Sequence, residues 1–289
     1  MKIKHILPIL CLAVFLGCGD TTTEVEVVEL PDSHSSTIRV PANAPNIQLA
    51  INMADDRDTI LVFDGVYTGT GNRDIDLAGK SVILKSVNGP VSTIIDCGGS
   101  VEERHSGFII DGGSNDAVID GFTIKNGYTN SGGALWIRNS TPTIRYCIIV
   151  NNTGTTSGGA VWCKGAEPIF QSCTFVGNSS MAGGAFFLNG TALPTITGSI
   201  VAFSGEGGGI FSNETSSQPS VMCTDVFSNS DGNWAGNVID QSRLNGNIEA
   251  DPQFCNEDAG DFRLQPTSPC ARDNNGCIVN MGALGIGCD

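Results

Sequence analysis

A short motif recurs along this chain at a nearly constant spacing. It reads Gly-Gly-Ala followed by two apolar residues, and its copies occupy residues 132–136, 158–162 and 183–187, with a looser copy at 208–211. Successive copies begin 26, 25 and 25 residues apart. A fixed period in this range is typical of a solenoid, in which each repeat is one coil stacked on the coil before it. The repeat therefore predicts the architecture of the chain, while it says little about chemistry.

When the coils are aligned on the strand before each Gly-Gly pair, two columns of equivalent residues appear, with one residue from each coil. They are Phe122, Cys147, Cys173 and Ser199 and, two residues later, Ile124, Ile149, Phe175 and Val201. Side chains alternate between the faces of a strand and equivalent residues of neighbouring coils stack about 4.8 Å apart, so both columns should line the interior. Cys147 and Cys173 are then expected to be small buried thiols, with a strained disulfide as the alternative. Asn152 and Asn178 follow at predicted turns, where asparagine tolerates positive φ and its amide can bond along the stack.

Within the strand after each Gly-Gly pair, alternation separates two rows of side chains. One row is Leu135, Val161, Phe186 and Phe211, and the other combines Ala134, Ala160 and Ala185 with Trp136, Trp162 and Phe187. The first row is the more natural interior, so we predict that Trp136, Trp162 and Phe187 stack on the outside. Flat rings suit the faces of sugars and the indole N–H adds a polar handle, so we hypothesise a glycan- or partner-binding strip. The alternative is that the rings point inward or are covered by neighbouring loops.

A predicted cap opens the solenoid. Apolar residues within 45–54 have helical spacing, and short strand patterns follow at 59–62, 65–67 and 80–84. A helix placed over the first coil would shield its open edge and its apolar interior.

The first residues of the chain carry an export signal. Lys2 and Lys4 precede a short apolar run that ends in Gly17 and Cys18. This run is too short for a permanent membrane span. A cysteine after a glycine resembles the bacterial lipobox, so we predict a lipoprotein signal peptide over residues 1–17, lipidation at Cys18 and a flexible tether over 18–36. Gly19, in place of the aspartate that retains such proteins at the inner membrane, favours the outer membrane; an ordinary cleaved signal is the alternative.

The balance of charges restricts the partners. The chain has 30 Asp and Glu against 15 Lys and Arg, which gives a formal net charge of −15. Because nucleic-acid phosphates require clustered Lys and Arg, we predict no nucleic-acid partner. The expected partners are a membrane, through the lipid, and a glycan or another cell-surface molecule.

Cysteines also concentrate near the C-terminus. Cys255, Cys270, Cys277 and Cys288 are expected to pair with one another after export. Zinc is disfavoured because no C-x-x-C spacing and no nearby histidine accompany them. The loop 273–276 has oxygen ligands of the kind that Ca²⁺ prefers, but a turn is favoured there, so no cofactor is predicted. The remaining cysteines after Cys18 are five in number, which leaves at least one free.

These patterns resemble the right-handed parallel β-helix proteins of the pectin-lyase-like superfamily. The resemblance rests on residues 47–52, 58–62 and 65–67, and residues 175–178 with 183–186 are similar to paired motifs of polymorphic outer membrane proteins. A terminal module of secreted bacterial β-helix proteins is similar to residues 251–255, 260–264, 268–270 and 282–284. We therefore expect an all-β, right-handed parallel β-helix of seven or eight coils over 37–248, with an N-terminal helical cap, and a Cys-rich C-terminal cap module over 249–289.

Candidate catalytic residues are sparse. Enzymes of this superfamily work on one outer face with carboxylates from successive coils, yet no column of Asp or Glu occurs. Asp120 and Arg145 share a column and are expected to form a surface ion pair. Arg138 and Lys164 share another without an acidic cluster, and His105 is expected to be a loop residue rather than an acid–base catalyst.

The expected function is accordingly non-catalytic binding or adhesion at the cell envelope, with glycans as candidate ligands. The main alternative is a polysaccharide lyase or glycoside hydrolase that acts on acidic polysaccharide. A glycosidase would need two carboxyl groups about 5 Å apart or further. A structural envelope component without a ligand is the third candidate.

Overall fold

The computed structural model describes residues 35–113 and 116–288. The predicted signal peptide, Cys18 and most of the tether lie outside the described residues. Parallel strands dominate the described part, together with one short α-helix, α1 (Ile47–Met53), and a 3-10 helix at Arg272–Asn274.

The strands follow one another in chain order. The first twelve are β1 (Thr37–Val40), β2 (Thr59–Val62), β3 (Gly65–Tyr67), β4 (Ile75–Asp76), β5 (Ile83–Ser86), β6 (Thr93–Asp96), β7 (Phe108–Asp111), β8 (Val118–Asp120), β9 (Thr123–Lys125), β10 (Tyr128–Ser131), β11 (Leu135–Arg138) and β12 (Thr143–Arg145). The others are β13 (Ile148–Val150), β14 (Thr153–Ser157), β15 (Val161–Lys164), β16 (Ile169–Gln171), β17 (Thr174–Val176), β18 (Ser179–Ser180), β19 (Phe186–Asn189), β20 (Thr195–Thr197), β21 (Ile200–Ala202), β22 (Ile210–Ser212), β23 (Ser220–Met222), β24 (Asp225–Phe227), β25 (Trp234–Gly236), β26 (Phe254–Asn256) and β27 (Asp261–Leu264).

Three long parallel sheets form the walls of the molecule. Sheet A is β1-β2-β5-β8-β12-β16-β20-β23, sheet B is β3-β6-β9-β13-β17-β21-β24, and sheet C is β4-β7-β11-β15-β19-β22-β25. A short sheet D, β10-β14-β18, lies between sheets B and C in the middle coils. Each complete coil visits sheet C, then sheet A, then sheet B, and pairs in parallel with the next. The predicted right-handed parallel β-helix is therefore confirmed, with about eight coils.

The interior is filled by the columns that the repeat predicts. Every residue of the columns that begin at Phe122 and Ile124 is fully buried. Phe170, Phe175 and Phe186 meet at the centre, with ring centroids 4.6–5.7 Å apart. Cys147 and Cys173 are free buried thiols rather than a disulfide, and Cys173 Sγ lies 3.4 Å from the Ile144 carbonyl oxygen.

An asparagine ladder runs along one corner of the coils. Asn152 Oδ1 accepts the Gly127 N–H at 2.8 Å, and Asn178 Oδ1 accepts the Asn152 N–H at 3.0 Å. Both asparagines are fully buried. The predicted bonding along the stack is confirmed, but the positive φ falls on the preceding residue in the first case, Asn151, at 55°.

Close backbone packing explains the Gly-Gly pairs. The first glycine of the pair at 158–159 has a φ of +66°, which strains any residue with a Cβ. A Cβ on the second, Gly159, would overlap the Gly184 carbonyl oxygen of the next coil. The alanine that follows is fully buried in each of the three copies, so the alternation of exposed and buried side chains begins only with the strand itself.

The predicted N-terminal helical cap is present as α1. Asn46 Oδ1 accepts the Leu49 N–H at 2.8 Å at its first turn, and its inner face is buried. At its other end Lys80 Nζ donates to the carbonyl oxygens of Ile51 and Ala54 at 2.8 and 2.7 Å. The helix contacts β1, β2 and β4, so it covers the first coils.

The C-terminal module lies along the side of the solenoid rather than over its end. Strands β26 and β27 form an antiparallel pair, and Phe254, Phe262 and Leu264 pack against outward-facing Ile148 and Ile200 of sheet B. Residues 237–248 close the end instead. Their side chains accept hydrogen bonds from backbone N–H groups that a further coil would otherwise accept. Gln241 Oε1 accepts the Val221 N–H and Asn247 Oδ1 accepts the Thr224 N–H, at 3.2 and 3.1 Å.

The disulfides differ from the predicted set. Cys255 pairs with Cys288, but Cys277 pairs with Cys223 of the last coils, and Cys270 is free and buried. The two bridges have Cα–Cα distances of 5.3 and 5.8 Å, which suit a disulfide. The expectation that the four C-terminal cysteines pair with one another is wrong because the module docks on the solenoid, which brings Cys223 to Cys277.

Candidate binding site

The outer face of sheet C carries the predicted aromatic row. Trp136 pairs in register with Trp162, and Trp162 with Phe187. The preceding residues, Leu135, Val161 and Phe186, are fully buried, so the aromatic side chains leave the opposite face of the sheet. Both tryptophans are partly exposed, whereas Phe187 retains only 9% of its surface.

Phe211 also belongs to this outer row, and its predicted place in the interior is wrong. Ile210 pairs with Phe186 and is buried, while Phe211 pairs with Phe187. The fourth copy of the motif lacks its alanine, so the strand begins one residue earlier. We call Trp136, Trp162, Phe187 and Phe211 the aromatic strip.

The rings of the strip stack in two pairs. The Trp136 and Trp162 centroids are 5.0 Å apart with planes at 11°, and those of Phe187 and Phe211 are 5.5 Å apart, also at 11°. The Arg138 guanidinium lies 4.9 Å from the Trp136 ring centroid, within the range of a cation–π contact. Rings this close in nearly parallel planes lie face to face, so the accessible part of the Trp136–Trp162 platform consists of ring edges and the face of Trp136 turned away from Trp162, with the Arg138 cation over that ring. Phe211 is partly exposed as well.

Arg138 has an acidic partner that the sequence columns missed. Arg138 Nε donates to Asp111 Oδ1 at 2.8 Å, and Nη2 donates to Asp111 Oδ2. These bonds lower the pKa of the Asp111 carboxyl. Strand β7 places Asp111 in register with Arg138, and Lys164 follows in register on β15, exposed.

A cleft of about 330 Å³ lies at the Trp136 end of the strip. It is lined by Asp74, Ser106, Ile109, Thr129, Ser131 and Trp136. One aromatic ring, one carboxylate and several hydroxyls thus converge on one space. Aromatic faces and hydrogen-bonding side chains are the groups that a sugar requires, because each sugar ring has apolar faces and a polar rim.

Asp74 is held in this cleft by His105 and its neighbour. Asp74 Oδ2 lies 2.6 Å from His105 Nδ1, and Asp74 Oδ1 accepts the Ser106 N–H at 2.7 Å. The backbone N–H of His105 donates to the Tyr128 carbonyl at 3.0 Å, which fixes the loop to β10. Glu103 Oε2 lies 3.9 Å from His105 Nε2. His105 is therefore a loop residue as predicted, but one that contacts the candidate site.

The other candidates from the sequence lie apart from the strip. Arg145 donates from Nε and Nη2 to Asp120 Oδ2 at 3.1 and 2.9 Å, so the predicted ion pair on sheet A is present. In the loop 273–276, Asn275 Nδ2 donates to the carbonyl oxygens of Ala271 and Val279, and Asn275 Oδ1 accepts the Cys277 N–H, which forms a turn. Among residues 35–113 and 116–288, no three His, Cys, Asp or Glu side chains are arranged to hold a metal ion.

A larger cleft of about 540 Å³ separates sheet B from the turn between β26 and β27. Its floor includes Ile94, Ile148 and Phe262, and Lys125 on its wall lies 3.5 Å from Asp96. Burial raises the pKa of Glu257 on the facing turn, and the charge of Asp258 adds to this. This cleft lacks an exposed aromatic platform, so the strip is the stronger candidate.

Comparisons with known proteins concern the fold alone. No protein-family model matches the sequence, and no curated protein is similar to it. A solved structure described as a crystal structure of the pectate lyase Pel9A is similar, with a TM-score of 0.46 and 12% sequence identity over 88% of this chain and 97% of that chain. Within the described part of the chain, no helix is long and apolar enough to cross a membrane.

Proposed function

We propose that this protein is a lipid-anchored component of the cell envelope that binds carbohydrate through the aromatic strip without catalysing a reaction. The observation that carries the proposal is the stacked, partly exposed pair of Trp136 and Trp162 on the outer face of sheet C. Two adjacent, partly exposed indoles on one face of a sheet form an apolar patch of the kind that marks interaction sites.

Sugar stacking is the chemistry that this platform favours. The apolar face of a sugar ring packs on an indole, while the indole N–H and nearby hydroxyls bond to the rim. The strip runs across successive coils, so an extended glycan laid along the solenoid would contact Trp136 and Trp162 with neighbouring residues. The adjacent cleft supplies Ser131 and Asp74 as hydrogen-bonding partners.

The proposal includes a lipid anchor at Cys18 and a location in the cell envelope. Lipidation at Cys18 would hold the solenoid at a membrane through the tether over 18–36, with the strip available to glycans outside. The two disulfides support export, since such bonds persist in oxidising compartments. Adhesion through surface glycans is the role that this arrangement fits best.

A second function, polysaccharide lyase or hydrolase activity on acidic polysaccharide, is favoured by one observation. Asp74 and His105 form an acid–base pair beside the platform. A hydrolase would need a second carboxyl group at the correct distance across the scissile bond. Asp76 is two residues from Asp74, and Asp111 is in register with Arg138 on the neighbouring strand. The charge of Asp111 is offset by Arg138, which donates a hydrogen bond to it.

A glycan array tests the proposed function. Protein lacking residues 1–18 would be compared with a Trp136→Ala/Trp162→Ala variant and with Tyr146→Ala, which removes an aromatic ring that is 44% exposed outside the strip. We expect the wild type and Tyr146→Ala to bind the same glycans and the double variant to lose them. Equal binding by all three proteins would contradict the proposal. Release of reducing ends or unsaturated products from pectin or alginate would instead establish the enzyme.

A further inference from the structure

We infer that the cleft at the Trp136 end of the strip selects an uncharged saccharide and that Asp74 is the residue that determines this specificity. The inference rests on the proposed function and names the ligand class for the same site. In the lining of the cleft, a single carboxylate, that of Asp74, faces hydroxyls and an indole. Among the described residues that line the cleft, none is cationic.

Asp74 retains hydrogen-bonding capacity for a ligand. Each oxygen of an ionised carboxylate has about two acceptor sites. The protein occupies one on each oxygen, through Ser106 N–H on Oδ1 and His105 Nδ1 on Oδ2. The side chain is 39% exposed, so the remaining sites can accept hydrogen bonds from two neighbouring hydroxyls of a sugar ring.

The same carboxylate disfavours an acidic sugar. A uronate or sulfate group on a ring stacked against Trp136 would enter a small space with Asp74 and no lining cation. Arg138 lies over the Trp136 ring, but its guanidinium donates to both carboxylate oxygens of Asp111, which offset its charge. Arg73 is engaged by the Cys97 carbonyl oxygen and Glu103. Lys164 lies one coil further along, in register with Arg138. Like charges in a partly desolvated cleft repel strongly, so the ligand must be uncharged where it meets Asp74.

Matched oligosaccharides test this assignment. Binding of the β-1,4-linked glucose hexamer and mannose hexamer would be compared with that of the galacturonic acid hexamer, by calorimetry on the wild type, Asp74→Asn and Asp55→Asn. Asp55→Asn is the control because it removes an equal charge from an exposed side chain that does not line the cleft. We expect the wild type to bind at least one uncharged hexamer about tenfold or more tightly than the acidic one.

Asp74→Asn should weaken the uncharged hexamer about tenfold and reduce the discrimination against the acidic hexamer, whereas Asp55→Asn should change neither. The inference is overturned if the wild type prefers the acidic hexamer, or if Asp74→Asn behaves as the control does. If the acidic hexamer binds and the Trp136→Ala/Trp162→Ala variant loses it, the proposed function stands and only the specificity assignment fails. Absence of binding to all three hexamers overturns the specificity assignment, while the glycan array separately decides the proposed function.

Discussion

The indole rings of Trp136 and Trp162 stack with their centroids 5.0 Å apart and their planes 11° from parallel. The two residues pair in register on β11 and β15, so the strand spacing of the solenoid sets their separation. A stacked platform of two rings therefore follows from the backbone itself, without a loop to hold it. Rings on loops would have to be ordered on binding, whereas these are ordered in advance, which lowers the entropic cost of binding.

The second glycine of each Gly-Gly pair should be essential for stability. In Gly159→Ala the new Cβ would overlap backbone atoms of Gly184 and Ser179, which cannot move away without displacing a coil. We expect a loss of about 1–3 kcal/mol in the free energy of unfolding, measured by urea denaturation. Gly276→Ala is the matched control, because a Cβ there meets no atom within 4 Å. Equal urea midpoints for Gly159→Ala and Gly276→Ala would contradict this explanation of the Gly-Gly pairs.

A buried carboxyl should make the docking of the C-terminal module depend on pH. Asp225 on the outer face of sheet B is fully buried, accepts the Ala250 N–H at 3.0 Å and lies 3.4 Å from Cys270 Sγ. Burial raises the pKa of Asp225 from 3.8 to about 7, and the charges of Asp251 and Glu249 act in the same direction. The folded protein therefore holds this proton more tightly than the unfolded chain.

The contribution of Asp225 to stability is accordingly complete below about pH 4 and is lost as the pH rises through about 7. The rise in pKa corresponds to roughly 4 kcal/mol. Asp225→Asn keeps the shape and cannot ionise, so the difference in unfolding free energy between wild type and variant should change across pH 4–8. Asp273→Asn, which removes an exposed carboxylate of the same module, is the control. Parallel stability curves for wild type and Asp225→Asn would refute the prediction.

The disulfide pattern can be read directly from the protein. Proteolysis without reduction, followed by mass spectrometry, should yield peptides that link Cys223 to Cys277 and Cys255 to Cys288. Cys270 should be recovered as a free thiol after denaturation. Burial and the neighbouring charge of Asp225 raise the pKa of this thiol far above its ordinary value, so it should resist alkylation in the native state. A disulfide peptide that contains Cys270 would contradict the structure.

The predicted lipid anchor has a simple cellular test. In a Gram-negative host, Cys18→Ser should move the protein from the membrane fraction to the soluble fraction and abolish incorporation of labelled palmitate. Cys11→Ser, which changes a cysteine inside the apolar run of the same signal, should leave both unchanged. Membrane association that survives Cys18→Ser would mean that another feature anchors the protein.

Features marked by a periodic pattern were predictable from the sequence, namely the repeated coils and the helical spacing of α1, whereas long-range contacts between loops and modules were not. The interior columns that begin at Phe122 and Ile124 and the outward direction of Trp136 and Trp162 all follow from a period of about 25 residues. Phe211 was misplaced because one missing alanine shifts its strand by a residue. That error shows how strictly the prediction depends on register, since a shift of one residue exchanges the two faces of a strand.

The cleft and the bridge to Cys223 depend on single, non-periodic contacts. Asp74 and His105 come from loops 31 residues apart, so no column relates them to each other or to Trp136. Cys223 and Cys277 meet only because the C-terminal module folds back along sheet B, a placement set by apolar residues such as Ile148 and Ile200 that face outward. An outward apolar row on sheet B was the one signal in the sequence that could have indicated this.

Tryptophan fluorescence tests the central claim most directly. The chain has three tryptophans, so Trp234→Phe leaves only the pair on the strip as the reporter. Titration with a glycan identified by the array should produce a saturable change in emission from Trp136 and Trp162, with the same dissociation constant as calorimetry. Binding that is detected by calorimetry without any change in this emission would show that the glycan does not meet the aromatic strip.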